Sequence, residues 1–297
     1  MKQKFFLVLV TFATVLCYGT SKSEVQTTSM KTMESDSIGY KSGYSEVNGL
    51  RMYYEIYGEG KPLVLIHGGG STIQSNFGKV IPLLAKERRL IAVELQAHGR
   101  TSDRDGDVTF EQDADDVATL LKNLNISKAD FFGFSNGGTT ALQIAIRHPE
   151  LVGKIIAASA LCKRSGVPPW FWDFMAQAKL ENMPEPLKEA YLQVASDPKG
   201  LQVMHDKDAK RMVDFRDIPD EKIRSVSAPV LIVIGDKDVI SPEHAVEMSR
   251  MIPNSRLAVI PGGHGEYLGE ITTLKPGSKG SDFLIVPMIE NFLRDQE

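Results

Sequence analysis

Cysteine is scarce in this chain, with only Cys17 and Cys162 among 297 residues. Cys17 lies in an N-terminal segment that we predict below to be removed on export, so the mature chain would keep a single cysteine. It could form no internal disulfide framework, and core packing must supply its stability. The pattern indicates neither a cysteine-based metal site nor a Cys/His pair. We therefore expect no bound metal, and we expect Cys162 to be a small buried hydrophobic side chain.

Concentrated positive charge is also lacking. The formal net charge is −4 at pH 7, and loss of the three lysines before Glu24 would bring it to −7. A moderately acidic chain without a basic cluster has no electrostatic footprint for nucleic acid or for an anionic membrane. The composition, 42% hydrophobic and 24% charged, is that of an ordinary globular protein. The length suits one sizeable α/β domain with an insertion, or two small domains.

The apolar stretch near the N-terminus, Phe5–Leu16, is too short for a membrane-spanning helix, which needs about 20 apolar residues. It follows a lysine-containing start and precedes small residues, which is typical of a secretory signal peptide. We predict a signal peptide at 1–22, a flexible spacer at 23–41, and export to the periplasm or the medium with no stable membrane insertion after cleavage. An uncleaved anchor is the alternative. Lipid modification at Cys17 is disfavoured by the bulky leucine before it.

The chain does contain a strand, a sharp turn and a helical pattern in direct succession over Ala129–Arg147. The turn reads Gly-Phe-Ser-Asn-Gly, with Ser135 at its apex. In this context G-x-S-x-G predicts a nucleophile elbow, in which the glycines let strand and helix approach while the serine takes a strained backbone conformation. The helix N-terminus behind the serine favours developing negative charge. The alternative is an ordinary glycine-rich turn with a capping serine.

Continuous apolar runs alternate with helical patterns along the rest of the chain. We predict strands in a hairpin over Tyr44–Tyr57 that turns at Asn48-Gly49, then at Lys61–Ile66, Leu90–Leu95, Ala129–Phe134, Lys154–Leu161, Ala228–Gly235 and Arg256–Ile260. The predicted helices are Phe110–Leu124, Thr139–Arg147, Pro242–Met251 and Phe283–Leu293. Fully apolar strands between helices favour an α/β fold with a mostly parallel sheet covered on both faces.

The alternation is interrupted in the second half of the chain by a proline-rich stretch with helical segments and no convincing strand. We predict a small helical cap at 162–227, inserted between the core parts 42–161 and 228–297. The cap contains an aromatic cluster, Pro168–Met175, with both tryptophans of the chain. These rings either line a roof over an apolar acyl group or pin the cap onto the core.

The chemistry is carried by a serine, an aspartate and a histidine at predicted strand ends. A serine hydroxyl is a poor nucleophile until a base takes its proton, and that base needs an orienting carboxylate. Ser135, Asp238 and His264 follow one another in the order that the α/β-hydrolase fold uses. On these motifs the chain resembles the α/β-hydrolase superfamily. The resemblance runs from the hairpin near Tyr44 to the terminal helix, and only the cap has no assigned counterpart in the family.

The resemblance implies a role for each residue of this set. Ser135 is the expected nucleophile, His264 the base and Asp238 the acid. The family pattern Gly-x-x-Asp selects Asp238 over Asp236, for which we expect a turn that binds its own backbone. His67, His98 and Glu94 resemble structural positions of the family.

The expected oxyanion hole needs two backbone N–H donors. One is Asn136, directly after the nucleophile. By resemblance the other is Gly69, in the His-Gly-Gly-Gly loop that follows the strand Lys61–Ile66. Asn136 departs from the methionine common in relatives, but the group required there is its main-chain N–H.

The resemblance implies a serine hydrolase without a cofactor, acting on a small-molecule acyl substrate. Serine rather than aspartate at the elbow argues against haloalkane dehalogenase and epoxide hydrolase. Carboxylic ester hydrolysis is the expected reaction, and hydrolysis of a C–C bond or an enol-lactone of small aromatic-derived metabolites is the alternative. A slow or non-catalytic ligand-binding protein of the same fold is an alternative of another class, which the intact Ser-Asp-His set disfavours.

Overall fold

The computed structural model describes residues 39–275, 283 and 285–294. The predicted signal peptide, and all but the last residues of the predicted spacer, lie outside this part of the chain, so export stays a prediction. Within it, the helices are too short or too polar to cross a membrane.

An eight-stranded sheet forms the centre of the fold. Its strands are β1 Tyr40–Val47, β2 Leu50–Tyr57, β3 Pro62–Ile66, β4 Arg89–Val93, β5 Ala129–Phe134, β6 Val152–Ala158, β7 Val230–Gly235 and β8 Ser255–Ile260. The spatial order is β1-β2-β4-β3-β5-β6-β7-β8. Only the β1–β2 and β2–β4 pairs are antiparallel, so the predicted mostly parallel sheet is confirmed.

The first hairpin turns at Asn48-Gly49 as predicted, with φ of 48° and 79° at the two residues. Positive φ at both positions is what a two-residue type I′ turn requires. The first strand, however, begins inside the segment predicted as spacer. Tyr40 pairs with Tyr57 across the hairpin, and the two rings pack with centroids 5.0 Å apart. Pairing along the whole length of β2 therefore extends the ordered hairpin toward the N-terminus.

Helices cover both faces of the sheet, as predicted. They are α1 Ile73–Phe77, α2 Ile81–Leu84, α3 Phe110–Asn123, α4 Asn136–Arg147, α5 Pro169–Ala176, α6 Glu185–Val194, α7 Gly200–Val213, α8 Asp220–Arg224, α9 Pro242–Met251 and α10 Ile285–Arg294. Successive strand residues point to opposite faces. In β3, Leu63 and Leu65 pack in one core with α1, α2 and α10, whereas Val64 and Ile66 pack in the other with α3, α4 and α9.

The two helices α1 and α2 were not predicted. At five and four residues they are shorter than the window in which a helical period is visible. A local capping box nevertheless defines the start of α1, because the Thr72 hydroxyl accepts from the Ser75 N–H while the Ser75 hydroxyl accepts from the Thr72 N–H.

The segment between β6 and β7, described without gaps, forms α5 to α8 and contains no strand. The rings of its aromatic cluster make different contacts. The Trp172 ring stacks on Phe215 at 5.8 Å and 11°, which ties α5 to the chain after α7. Phe171 and Phe174 instead line a cavity. Trp170 does neither and is 59% exposed.

The strand order reverses at β3, which lies between β4 and β5. In open α/β sheets such a reversal opens a crevice at the carboxyl ends of the strands, where ligands bind. The loops that follow β3 and β5 therefore lie side by side, and they carry the predicted oxyanion and nucleophile residues.

Candidate active site

Ser135 occupies the turn between β5 and α4 with φ 55° and ψ −121°, a conformation that residues with a side chain rarely adopt. Two glycines make the turn possible. A Cβ on Gly133 would lie 2.0 Å from the Gly137 carbonyl oxygen, and a Cβ on Gly137 would lie 2.0 Å from that of Ile66. The turn therefore has the geometry of a nucleophile elbow, and the serine side chain does not cap α4.

The structure brings Ser135, His264 and Asp238 into one hydrogen-bonded chain. Ser135 Oγ lies 3.0 Å from His264 Nε2, and His264 Nδ1 lies 2.8 Å from Asp238 Oδ1. A carboxylate can only accept, so Nδ1–H donates to it and Nε2 is left to accept the serine proton. This arrangement can activate the hydroxyl of Ser135.

The carboxylate of Asp238 is fully buried and held on both oxygens. The Ile240 N–H donates to Oδ1 at 3.0 Å, and the Ser159 hydroxyl donates to Oδ2 at 2.6 Å. The Tyr267 hydroxyl lies a further 2.6 Å from Ser159 Oγ. Burial acts to raise the pKa of Asp238, but the hydrogen bond and charge of His264 hold it below its ordinary value. The acid is therefore ionised and fixed in direction.

Asp236 is exposed, and its predicted turn contact is wrong. Its Oδ1 accepts the N–H of Gly262 at 2.8 Å, in the loop before His264, rather than an N–H of its own turn. The two loops face each other because β7 and β8 are parallel neighbours in the sheet. Asp236 thus ties the loop of the acid to the loop of the histidine.

The predicted oxyanion donors beside Ser135 are the N–H groups of Gly69 and Asn136, and their neighbours in the loop differ from them. The N–H groups of Gly68 and Gly70 donate to side-chain oxygens at 2.7 and 2.6 Å. In the part of the chain that the structure describes, the N–H groups of Gly69 and Asn136 donate to no protein group. Gly69 leaves room for this arrangement, since a Cβ there would lie 2.6 Å from Asn136 Nδ2. Two unpaired N–H groups, one at a helix N-terminus, are suited to a tetrahedral oxyanion.

Two further histidines flank the site, and both are buried. Burial lowers the pKa of His67 to about 3, so this ring is neutral. It accepts the Leu95 N–H at Nε2 and bonds the Gly68 carbonyl through Nδ1, which holds the oxyanion loop against β4. His98 lies 2.9 Å from Asp208 of α7. The sequence carried no signal for Asp208, because α7 is remote from the elbow along the chain.

Cys162 is buried as predicted, but it has a neighbour that the sequence did not indicate. Its N–H donates to His244 Nε2 at 3.1 Å, and its Sγ lies 3.6 Å from the same atom. Burial raises the pKa of the Cys162 thiol to about 12. The pair is therefore a thiol beside a neutral imidazole, without the thiolate that nucleophilic chemistry needs.

Glu94, expected to be structural, is fully buried at the end of β4. Its carboxylate accepts the Arg100 N–H at 2.6 Å and pairs with the Arg100 guanidinium at 2.7 Å. Burial raises the pKa of Glu94 to about 7. These contacts fold the loop that carries His98.

A cavity of about 240 Å³ adjoins Ser135 and His264. Its walls come from α5, α6, α7 and the core loops, and most are apolar: Leu161, Val167, Phe171, Phe174, Met175, Met183, Leu187, Met204, Met212 and Ile240. Lys179 also lines it, and its side chain has no ion-pair partner among the described residues. Among those residues, no three His, Cys, Asp or Glu side chains are grouped to hold a metal ion.

The sheet, the elbow and the Ser-His-Asp geometry define a class of α/β protein in which a serine stands at a strand–helix turn below a helical segment. The chain has the α/β-hydrolase fold, and a family profile described as the alpha/beta hydrolase fold matches residues 61–203, just under half of the chain.

Two curated relatives match shorter stretches. One is 2-hydroxymuconate semialdehyde hydrolase of Pseudomonas sp. strain CF600, 40% identical over 112 residues, or 36% of this chain and 39% of the relative. The other is 2-hydroxy-6-oxo-6-(2′-aminophenyl)hexa-2,4-dienoic acid hydrolase of Metapseudomonas resinovorans, 32% identical over 126 residues, or 41% of this chain and 43% of the relative. The chain thus spans about two fifths of the length of these relatives.

A solved structure matches over nearly the whole fold. It is the 2-hydroxy-6-oxo-6-phenylhexa-2,4-dienoate hydrolase from Rhodococcus sp. strain RHA1, with a TM-score of 0.71 and 20% identity. The match covers 87% of this chain and 100% of that chain. At this identity the likeness shows the shared fold.

Proposed function

We propose that the protein is a serine hydrolase that cleaves a C–C bond next to a ketone or aldehyde carbonyl in a small oxo acid. The observation that supports hydrolase activity is the series of hydrogen bonds from Ser135 through His264 to Asp238, next to two N–H groups that have no protein acceptor. The choice of bond is supported by the two curated relatives, both named as hydrolases of such compounds. Hydrolysis of an enol-lactone by the same groups belongs to the same proposal.

The proposed reaction has two halves. Ser135 Oγ attacks the carbonyl carbon while His264 takes the hydroxyl proton, and the N–H groups of Gly69 and Asn136 hold the oxyanion. A proton moves from the 2-hydroxyl to C5 of the dienoate before the attack and gives the 2-oxo tautomer. Collapse then breaks the C–C bond, and the leaving electron pair is delocalised onto the 2-oxo group as a dienolate, which His264 protonates. Water then attacks the acyl group, gives its proton to His264 and releases an acid and free Ser135. The fixed carboxylate of Asp238 stabilises the imidazolium in both halves.

Carboxylic ester hydrolysis is the second candidate. The same groups perform it, with an alkoxide instead of an enolate as the leaving group. A specific feature favours it: the predicted signal peptide would carry the protein away from the cytosolic intermediates of aromatic breakdown.

Substrate preference separates the two candidates. We expect 2-hydroxymuconate semialdehyde and 2-hydroxy-6-oxo-6-phenylhexa-2,4-dienoate to be turned over with kcat/KM at least about tenfold above that for p-nitrophenyl acetate and butyrate. A tenfold ratio of kcat/KM corresponds to about 1.4 kcal/mol of transition-state binding, which is the size of one substrate contact that the esters would lack. Loss of the dienoate absorbance and release of p-nitrophenol measure the rates. A tenfold preference for the esters would reject C–C cleavage in favour of the second candidate.

The exposed cation at the cavity wall gives a finer test of the oxo-acid assignment. Lys179→Met is expected to raise KM for the dienoate about fivefold, the value of a partly solvated ion pair near 1 kcal/mol, and to leave KM for p-nitrophenyl butyrate unchanged. Lys188→Met is the matched control, because Lys188 pairs with Glu185 on α6. Equal effects of Lys179→Met on the acid and the neutral ester would exclude a carboxylate contact at this position.

A further inference from the structure

A carboxylate from the segment between β6 and β7 is bonded to the loop that holds one of the two oxyanion donors. Asp208, on α7, accepts the Gly70 N–H at Oδ2, at 2.6 Å. The same oxygen would lie 3.1 Å from a Cβ placed on Gly69. Asp208 therefore lies directly against the Gly69–Gly70 peptide, and it also lines the cavity.

We propose that Asp208 is a positioning residue. By holding the Gly70 N–H it fixes the Gly69–Gly70 peptide, and because that peptide shares the Gly69 Cα with the preceding peptide, it also restrains the direction in which the Gly69 N–H points toward the developing oxyanion. The inference rests on the proposed function. Gly70 has φ of 66°, and a glycine in this region turns easily unless its N–H is held. The bond from its N–H to Asp208 supplies that restraint.

A carboxylate so close to an oxyanion would repel it unless its own charge were matched. Two cations balance the negative charge of Asp208: His98 lies 2.9 Å from one carboxylate oxygen, and Arg211 donates a hydrogen bond to the other. Arg211 also pairs with Asp113 of α3 at 2.6 Å, so two cations face two carboxylates in one buried group. His98 Nδ1 bonds the Gln96 carbonyl at 2.8 Å, which leaves Nε2 to donate a second proton to Asp208. The group positions the loop without adding net negative charge.

The pKa shifts agree with this geometry. Burial acts to lower the pKa of His98, but the charge and hydrogen bond of Asp208 raise it above its ordinary value. Burial acts to raise the pKa of Asp208, but Arg211 and His98 hold it well below its usual range. Both partners therefore stay charged, and α7 stays docked on the loop.

The consequence is that the oxyanion hole depends on the docking of α7. If the loop held Gly69 in place without Asp208, α7 would do no more than form one wall of the cavity. With Asp208, any displacement of α7 also releases Gly70, so substrate binding beneath the helix and stabilisation of the transition state are linked.

The test uses the rate at which a fluorophosphonate probe labels the mature protein, because phosphonylation needs both the nucleophile and the oxyanion donors and no knowledge of the substrate. Asp208→Ala is expected to slow labelling about 100-fold, the effect of losing one oxyanion donor. Asp208→Asn keeps an oxygen for Gly70 and is expected to recover about tenfold of that loss. With p-nitrophenyl butyrate, kcat should fall in the same ratio while KM changes less than about threefold.

Asp214→Asn is the control, since Asp214 ends the same helix, faces solvent and pairs with Lys210; its labelling rate should stay within twofold of wild type. Labelling of both Asp208 variants within twofold of wild type would overturn the inference, as would a rise in KM with unchanged kcat. If Asp208→Ala fails to fold, Asp208→Leu, which is similar in size and also lacks an acceptor for the Gly70 N–H, takes its place: labelling within twofold of wild type overturns the inference, and a loss of tenfold or more supports it. Wild-type protein that takes no label at all would instead reject the proposed function, and the inference with it.

Discussion

Replacing Ser135 with alanine is expected to abolish covalent labelling by a fluorophosphonate and to lower kcat about 10⁵- to 10⁶-fold, which is the cost of removing the nucleophile from a Ser-His-Asp set. The change removes only one oxygen atom. Gly133 and Gly137 keep the turn, and the same backbone conformation is available to alanine as to serine. Peptide mass spectrometry of the labelled wild-type protein should place the adduct on Ser135.

Ser249→Ala serves as the control, because Ser249 lies on α9 and, among the described residues, its hydroxyl bonds only a carbonyl of its own helix. Its labelling and turnover should equal those of the wild type. A folded wild-type protein that resists the probe would mean that the hydroxyl is not activated, and would favour a ligand-binding protein of the same fold. An adduct on another serine would also contradict the assignment.

The central sheet could be predicted because its strands carry their burial in the sequence. The strands β3 and β7 are continuous apolar runs, which only a sheet covered on both faces can bury. Gly133, Ser135 and Gly137 could be recognised because a strained strand–helix turn tolerates few residues other than glycine around its apex. In both cases the physical requirement is local in sequence.

The contacts that hold the site in place could not be predicted, because they join distant segments through common residue types. Ser159 reaches Asp238 from the end of β6, and Tyr267 reaches Ser159 from the loop after β8. Asp208 and Arg211 are ordinary charged residues on a helix until α7 is packed on the core. A side chain that acts by orienting another leaves no spacing pattern.

The same distinction explains the two candidate acids. Asp236 and Asp238 follow the same strand, and sequence spacing alone separates them by two residues. In the structure, one carboxylate is exposed and bonds the Gly262 N–H, and the other is buried and bonds His264. Burial makes the difference functional, because a charge pair is strengthened where water is excluded.

The two aspartates therefore make a matched pair of variants. Asp238→Ala is expected to lower kcat about 10⁴-fold, since His264 loses both its orientation and the charge that stabilises its protonated form. Asp236→Ala loses one exposed hydrogen bond worth about 1 kcal/mol, so its kcat should stay within about threefold of wild type. Both rates are measured with the best substrate of the panel. Equal losses in the two variants would contradict the assignment of Asp238.

Asp238→Asn should fall between these limits, for a reason that the structure supplies. Oδ1 receives the Ile240 N–H as well as His264, so the amide oxygen is expected to keep that side and the new NH₂ to face Ser159, whose hydroxyl can accept. His264 would then keep the tautomer that accepts from Ser135 and lose only the negative charge behind it. Pairing Asp238→Asn with Ser159→Ala tests this, because without the acceptor the amide is free to flip and turn the histidine to the wrong tautomer. The double variant should lose kcat by a further factor of about ten relative to the product of the single effects, and strict multiplicativity would show that Ser159 does not direct the acid.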